Sequence, residues 1–204
     1  MLLDESCWFL AIDLDKEDWR QDTQAVLETC GKIGLPIAVE RSRSGNGAHI
    51  WMFFEEPIPA RLARNLGSHV LTETMESRPD LGLRSYDRLF PNQDTLPKGG
   101  FGNLIALPLQ QGPRKCGNSM FLNAAFEPQT DQWAFLASVP RLARGTVEGI
   151  VREAERKGAV IGVRVAEADE EEDPTPWTAP PSRRRVSTAI PGPLPETLEL
   201  VLGH

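Results

Sequence analysis

Short apolar runs alternate with amphipathic stretches along the chain, which predicts a fold built from both strands and helices. Residues 7–12 are an apolar run of strand length that ends abruptly at Asp13 and Asp15. Residues 35–40 predict a second strand. The nearly continuous apolar run over residues 50–54 predicts a strand that is buried on both faces of its sheet.

Apolar residues recur at helical spacing in two long stretches. The first, residues 16–32, carries its apolar positions at Trp19, Val26, Leu27, Cys30 and Ile33. The second, residues 60–77, places on one face Leu62, Leu66, Val70, Leu71 and Met75. His69 lies in this second helix, where a lone histidine more often packs or faces solvent than binds a ligand. Further helices are predicted over residues 131–136 and 146–156, and a last strand over residues 160–165.

The pattern predicts one folded domain over residues 1–166, followed by a tail over residues 167–204. The tail alternates acids and prolines without apolar periodicity, which is typical of a flexible linker. An apolar pattern returns near its end at Leu194, Leu198, Leu200 and Val201. We therefore expect the tail to hold the start of a following segment and the chain to be part of a longer protein.

Composition excludes several classes of protein. The chain has 204 residues, of which 40% are hydrophobic and 25% are charged, as in ordinary globular proteins. No apolar run approaches the ~18 residues of a membrane span, and no signal peptide is evident, so we expect a cytoplasmic protein without a membrane partner. The net charge of −7 argues against a uniformly basic nucleic-acid coat. Three cysteines without a close pair support neither a disulfide framework nor a zinc site.

Two acids stand at the end of the first predicted strand. Because alternate residues of a strand share a face, Asp13 and Asp15 point to the same side. Adjacent carboxylates repel each other, and a cation between them removes that cost. The alternative is that Asp15 merely caps the next helix.

A glycine-rich turn over residues 44–47 leads directly into the apolar strand, with His49 at the junction. Gly45 and Gly47 lack a Cβ, so the backbone there can take φ > 0 and admit an anionic ligand to its N–H groups. Arg41 and Arg43 precede the turn. Their guanidinium groups suit phosphate oxygens, and they suit a surface carboxylate equally well.

Two further stretches carry candidate chemistry. Residues 84–94 predict a long polar and aromatic loop in which Asp87 adjoins Tyr86, the only tyrosine. Residues 96–103 form a second glycine-rich turn, which we expect to be presented by an apolar strand over residues 104–109. A polar, hairpin-like stretch follows and suits either a nucleic-acid backbone or an ordinary solvated turn; its residues are Arg114, Lys115, Asn118 and Ser119.

Three short motifs now stand in order: Asp13-Leu14-Asp15, Gly47-Ala48-His49 and Tyr86-Asp87. Together they resemble the motifs of the archaeo-eukaryotic primase superfamily. More narrowly, the stretches 44–51, 86–94 and 102–110 resemble the primase-polymerase domain of TOTE conflict systems and related CRISPR-associated primase-polymerases. The resemblance covers residues 7–165. The zinc module of some primases and the helicase that often follows this domain have no counterpart in the sequence.

The resemblance implies an α/β (α+β) fold, with mixed or antiparallel sheets flanked by helices in two subdomains and a central cleft. It implies template-directed nucleotidyl transfer: a DNA primase-polymerase joins an NTP or dNTP to a 3′-hydroxyl, or to an initiating nucleotide, on single-stranded DNA. Its partners would be the template, a primer strand, nucleoside triphosphates and a helicase in the same or an associated chain.

The resemblance also assigns roles to residues. Two Mg²⁺ or Mn²⁺ ions would be held by Asp13, Asp15 and Asp87. The nucleotide's phosphates would be held by Arg43, Ser44, Gly45, Asn46, Gly47 and His49, and its sugar or base would face Asn103. Arg88 and Lys98 are candidates for phosphate or template contact by position only.

Two alternatives remain open from the residues alone. Paired carboxylates with two metals serve phosphodiester hydrolysis as readily as synthesis, so a metal-dependent nuclease fits the same acids. A non-catalytic module for single-stranded nucleic acid would use Arg41, Arg43, Arg114, Lys115 and Trp51. The second alternative leaves the three acids unexplained.

Overall fold

A computed structural model describes residues 1–80, 83–96 and 104–158. The predicted strand over residues 160–165 lies outside these ranges, as do the tail, Lys98 and Asn103. The elements follow the order β1 (Ser6–Asp15), α1 (Trp19–Ile33), β2 (Ala38–Arg41), β3 (Gly47–Pro59), α2 (Ala60–Ser77), β4 (Tyr86–Phe90), α3 (Gln111–Arg114), β5 (Met120–Phe121), α4 (Gln132–Ser138) and α5 (Arg144–Lys157).

The five strands form one antiparallel sheet in the order β4-β1-β3-β2-β5. β3 is the central strand and pairs with β1 on one side and with β2 on the other. The turn between β2 and β3 is closed by the Ser42 N–H, which donates to the Gly47 carbonyl at 2.9 Å. This hairpin fixes the register of the strands that later carry the candidate site.

The sheet separates two apolar cores, because successive side chains of a strand point to opposite faces. On one face, residues such as Leu10 and Met52 pack with the long helices α1, α2 and α5. On the other face, Ala11 and Trp51 pack with Phe121 and with the short helix α4. Ile50, Trp51 and Met52 are all buried, which confirms the prediction of a strand buried on both faces.

The long helices lie where apolar periodicity predicted them, and α2 spans the predicted residues 60–77. One position in the predicted apolar face is wrong: Met75, in the last turn, is exposed. α1 begins after Asp18 and ends at Gly34, and both of these residues have a left-handed backbone. Asp15 is the last residue of β1 and does not cap α1, which excludes the capping alternative.

The structure corrects three predictions for the segments between the long helices. Residues 84–94 contain the strand β4, because Leu89 and Phe90 are buried against β1. Residues 104–109 form no strand, and Leu104 and Leu107 are exposed there. The polar stretch around Arg114 is a short helix that leads into β5 rather than a hairpin.

A buried carboxylate ties β4 to the end of β1. Asp22 of α1 accepts two hydrogen bonds on Oδ2 from Ser85, one from its N–H at 3.0 Å and one from its hydroxyl at 2.6 Å. The Ser85 carbonyl in turn accepts the N–H of Asp15 at 2.7 Å. Ser85, the residue before β4, is therefore bonded directly to the end of β1 and is held in place by Asp22 of α1. Among the described helices, none combines the length and the apolar character needed to cross a membrane.

Candidate active site

A cavity of about 400 Å³ opens at the end of the β1–β3 pair. Its polar lining comes from β1, from the β2–β3 turn and from β3: Asp13, Asp15, Ser42, Arg43, Ser44 and His49. Its apolar lining comes from β4 and the segment after the second glycine turn: Phe90, Leu104, Ile105 and Ala106. The volume is within the range of sites for small ligands. The cavity thus joins carboxylates, a histidine, a guanidinium and two hydroxyls.

His49 lies between two carboxylates because its neighbours across the sheet are both acids. In the strand register, His49 pairs with Asp13 of β1 on one side and with Glu40 of β2 on the other. Its Nδ1 lies 3.0 Å from Glu40 Oε2, and its Nε2 lies 3.5 Å from Asp13 Oδ1. The ring is therefore held by the sheet itself, with Nε2 on the side of the cavity acids.

Glu40 is a residue that the sequence analysis missed. Only 1% of it is exposed, and its Oε2 also accepts the indole N–H of Trp51 at 2.9 Å. Its Oε1 accepts the hydroxyl of Ser119 at 3.0 Å. A buried carboxylate is tolerated when it is paired in this way. A signal for it existed, since a hairpin closed between residues 42 and 47 places residue 40 opposite His49.

The pKa of His49 is raised above its ordinary value. Burial alone would lower this pKa, because burial disfavours the imidazolium. The hydrogen bond to Glu40 and the negative charges of Glu40, Asp13 and Asp15 together outweigh burial. The site therefore favours a positively charged His49 at the cavity wall.

Asp13 differs from Glu40 in being incompletely satisfied. Its Oδ1 is buried and has no hydrogen-bond partner, although His49 lies close by. Burial raises the pKa of Asp13 to about 6, and the charges of Asp15 and Asp87 add to the rise. The charges of His49 and Arg88 oppose it.

The orphaned oxygen of Asp13 provides a test of whether a divalent cation fits. Carboxylate oxygens are the ligands that Mg²⁺ and Mn²⁺ prefer, and Asp15 supplies a second carboxylate at the same cavity. The donor chemistry therefore fits these ions. Among residues 1–80, 83–96 and 104–158, however, no three His, Cys, Asp or Glu side chains already converge as a cation site.

Asp87 lies next to this cavity but does not line it. The β1–β4 register shifts between Asp13, which pairs with Arg88, and Leu14, which pairs with Tyr86, so Asp87 is the extra residue of a β-bulge. Its Oδ2 accepts from Arg88 Nε at 2.7 Å. The structure thus brings Asp87 close enough to influence Asp13 without placing all three predicted acids around one point.

The glycines of the β2–β3 turn serve two different purposes. Gly45 has φ +81°, as the sequence predicted, and Asn118 packs against it. Gly47 is the first residue of β3 and is not among the positive-φ glycines. It is needed for close approach, since a Cβ there would lie 2.5 Å from the Leu14 carbonyl oxygen and even closer to Asp15 Oδ1.

The turn presents side chains rather than a row of backbone amides. The Gly45 N–H donates to the Ser42 carbonyl and the Asn46 N–H donates to Ser44 Oγ, so both amides are used inside the turn. Arg43 and Ser44 line the cavity, whereas Gly45, Asn46 and Gly47 do not. The predicted contact of Asn103 lies outside the described residues.

Two residues of the predicted binding module have structural roles instead. The Arg41 guanidinium donates to the carbonyls of Gly117 and Phe126 at 3.3 and 3.2 Å. Trp51 is 1% exposed and contacts Phe9 edge to face. Neither side chain is presented to a nucleic acid, so this part of the prediction is wrong.

We predict that Asp13→Asn stabilises the protein in a pH-dependent way. The pKa of Asp13 is about 6 in the fold and about 3.8 in the unfolded chain, so the protonated form is favoured by folding. This contribution is complete below about pH 4 and is lost as the pH rises through 6. Urea unfolding in EDTA should show the variant gaining about 2 to 3 kcal/mol over wild type between pH 4 and pH 7. Asp80→Asn, at a carboxylate that is 71% exposed, is the control, and a gain for Asp13→Asn that does not vary with pH would contradict the prediction.

We predict that Glu40→Ala destabilises the fold by about 3 kcal/mol, because it leaves His49, Trp51 and Ser119 without their acceptor. Glu55→Ala, an exposed glutamate on β3, should change the free energy of unfolding by less than about 0.5 kcal/mol. The measurement is urea unfolding at pH 7. A loss below about 1 kcal/mol for Glu40→Ala would show that the buried carboxylate does not hold the site together.

Comparison with known families agrees with this arrangement of motifs. The family model described as the archaeo-eukaryotic primase domain of the TOTE conflict system matches residues 1–150. A comparison with curated proteins found no match. The matched span includes every candidate site residue and all of the sheet, and covers most of the chain. The chain therefore belongs to the archaeo-eukaryotic primase family of the TOTE conflict systems.

Proposed function

We propose that the protein is a DNA-directed primase-polymerase, which joins an NTP or dNTP to a 3′-hydroxyl or to an initiating nucleotide on single-stranded DNA. Membership of the family indicates primase-like nucleotidyl transfer at the level of the family. The single observation that carries the proposal is the cavity, whose lining combines two carboxylates, Asp13 and Asp15, with two basic side chains, Arg43 and His49. Acidic and basic groups in one cavity suit a triphosphate and its counterions together.

The basic side chains and the hydroxyls of the cavity would bind the triphosphate. Arg43 is exposed at the rim, and its guanidinium can donate two hydrogen bonds to phosphate oxygens. The hydroxyls of Ser42 and Ser44 also line the cavity and lie 3.0 Å apart. His49 would add a charged donor from Nε2, since its Nδ1 is engaged by Glu40.

The carboxylates would hold two Mg²⁺ or Mn²⁺ ions. Asp13 and Asp15 would be the ligands in the cavity, and Asp87 would contribute from the bulge of β4. Such ions, when bound, lower the pKa of an attacking hydroxyl and neutralise a leaving pyrophosphate. The chain's own contribution is to keep Asp13 Oδ1 buried and free of a hydrogen bond, so that no protein donor has to be displaced from that oxygen.

The other partners follow from the reaction. A single-stranded template and a primer strand would approach this cavity, and a helicase in the same or an associated chain would supply the single strand. A metal-dependent nuclease would use the same acids, and the assay below separates the two.

We predict that wild type extends or initiates strands and that Asp13→Asn and Asp15→Asn each reduce this activity at least about 100-fold, through loss of a metal ligand. The measurement is a gel assay with single-stranded DNA, Mn²⁺ and labelled dNTPs or NTPs, with and without an annealed primer. Asp80→Asn is the matched control. Template degradation without nucleotides would indicate the nuclease. Equal and absent activity in wild type and Asp13→Asn would overturn the proposal.

We predict that His49→Gln mainly raises KM for the nucleotide, by about tenfold, because a charge-assisted hydrogen bond to phosphate is made in both the ground state and the transition state. The same primer-extension assay, run over a range of nucleotide concentrations, gives KM and kcat separately. His69→Gln, at a buried histidine of α2, is the matched control. An unchanged KM in His49→Gln would remove His49 from the phosphate site.

A further inference from the structure

The face of the sheet that carries the cavity also carries exposed apolar side chains. Seven large hydrophobic residues are exposed within residues 1–80, 83–96 and 104–158. Four of the seven line this cavity or one of two hollows beside it: Leu2, Trp8, Leu104 and Trp133. Exposed apolar groups gathered in one region mark a binding surface more often than scattered ones do.

The cavity and the two hollows form a continuous series. Phe90 and Ile105 line both the cavity and the first hollow, which has a volume of about 100 Å³. Trp8 lines both the first hollow and the second, whose volume is about 420 Å³. Along β3 the rings of His49, Trp51 and Phe53 lie on the same face, with centroids 5.9 and 6.1 Å apart in succession, and Trp51 is buried whereas Phe53 lines the second hollow.

The two tryptophans are presented by features of the backbone. The β1–β3 register shifts between Cys7 and Phe9, and Trp8 lies at this irregularity with 47% of its surface exposed. Trp133 lies in the first turn of α4 and is 62% exposed. Its backbone N–H donates to the capping carboxylate of Asp131 at 3.1 Å. A register shift such as the one at Trp8 changes the direction of the side chain.

The helix α4, which carries Trp133, is anchored to the sheet. The buried side chain of Gln132 accepts the N–H of Phe121 at 2.7 Å and donates to the carbonyl of Phe121 at 3.0 Å. Phe135 packs against Phe121 with ring centroids 5.4 Å apart. The indole is therefore held on the surface by a fixed helix, and the exposed residue Arg141 lines the same hollow.

We propose that the two hollows on either side of Trp8 bind the single-stranded nucleic acid that enters the cavity, with bases stacked on Trp8 and Trp133 and a phosphate on Arg141. The inference rests on the proposed function, because a strand that reaches the cavity must cross the surface next to it. Indole faces stack with any base, and an adjacent guanidinium binds the backbone, which suits a strand read without sequence preference. A protein partner would also use exposed tryptophans, but continuity with the cavity favours the nucleic acid.

The experiment measures binding apart from catalysis. Fluorescence anisotropy of a labelled single-stranded oligodeoxynucleotide is followed with the full chain in EDTA and without nucleotides. We expect Trp133→Ala and Trp8→Ala each to raise Kd about tenfold, and Trp133→Phe, which keeps a stacking ring, to stay within about threefold of wild type. Met75→Ala, at an exposed residue of α2, should leave Kd unchanged. An oligonucleotide with abasic sites should bind wild type about as weakly as the intact one binds Trp133→Ala.

Arg141→Gln tests the phosphate contact. It should reduce the slope of log Kd against log salt concentration by about one, whereas Arg152→Gln, at an exposed arginine of α5, should not. Urea unfolding of each variant checks that the fold is retained. Unchanged Kd in both tryptophan variants, equal affinity for the abasic oligonucleotide, or failure of wild type to bind the intact one would overturn the proposal.

The two proposals fail in different ways. If only the surface is wrong, wild type still adds nucleotides while the tryptophan variants bind DNA as wild type does. If only the nucleotidyl transfer is wrong, no nucleotide is added although the tryptophan variants lose DNA affinity. Asp80→Asn should keep the DNA affinity of wild type, because this exposed carboxylate lines neither the cavity nor either hollow.

Discussion

The buried hydrogen bond between Glu40 and His49 is the interaction on which the candidate site depends. A carboxylate with 1% exposure is costly unless its oxygens are paired, and Glu40 has partners from β3 and from the residue before β5. These partners are available only in one register of the hairpin, because a shift by one residue would turn His49 to the opposite face. The same bond directs Nε2 of the histidine towards the cavity. The register that pairs β2 with β3 therefore also buries Glu40 and orients His49 towards the cavity.

The two carboxylates that flank His49 differ in their hydrogen bonding. Glu40 has donors on both oxygens, whereas Asp13 has a buried oxygen without any hydrogen bond. Folded proteins leave few buried polar atoms unsatisfied. Asp22 Oδ1 is another such oxygen, and Asp13 differs from it because Asp13 lines the cavity. A satisfied acid contributes to structure, and an unsatisfied acid at a cavity retains its capacity for a ligand. The orphaned oxygen and the place in the cavity lining together favour a ligand-binding role for Asp13, whereas Glu40 positions His49.

The sequence predicted the elements better than it predicted their surroundings. Periodicity located α2 to the residue and identified β3 as buried on both faces, because these signals are local. β4 was predicted to be a loop because its polar residues hide a pairing with β1 that only the tertiary fold supplies. Trp51 was considered for base stacking although the apolar run over residues 50–54 already predicted a strand buried on both faces, and in the structure Trp51 packs in the core that includes Phe121 of β5. The apolar wall at residues 104–106 carries no local signal for its place beside the acids.

The asymmetry of the two faces of the sheet explains why these features occur together. Within the described residues, the long helices pack on one face, whereas the seven-residue helix α4 and irregular segments pack on the other. In the part of the chain that the structure describes, the indoles of Trp8 and Trp133 stay exposed on this side, at a cost in apolar burial. It also leaves Asp13 and His49 open to a ligand at the end of the strands. A sheet fully covered on both sides would be more stable, but its central histidine could not contact any substrate.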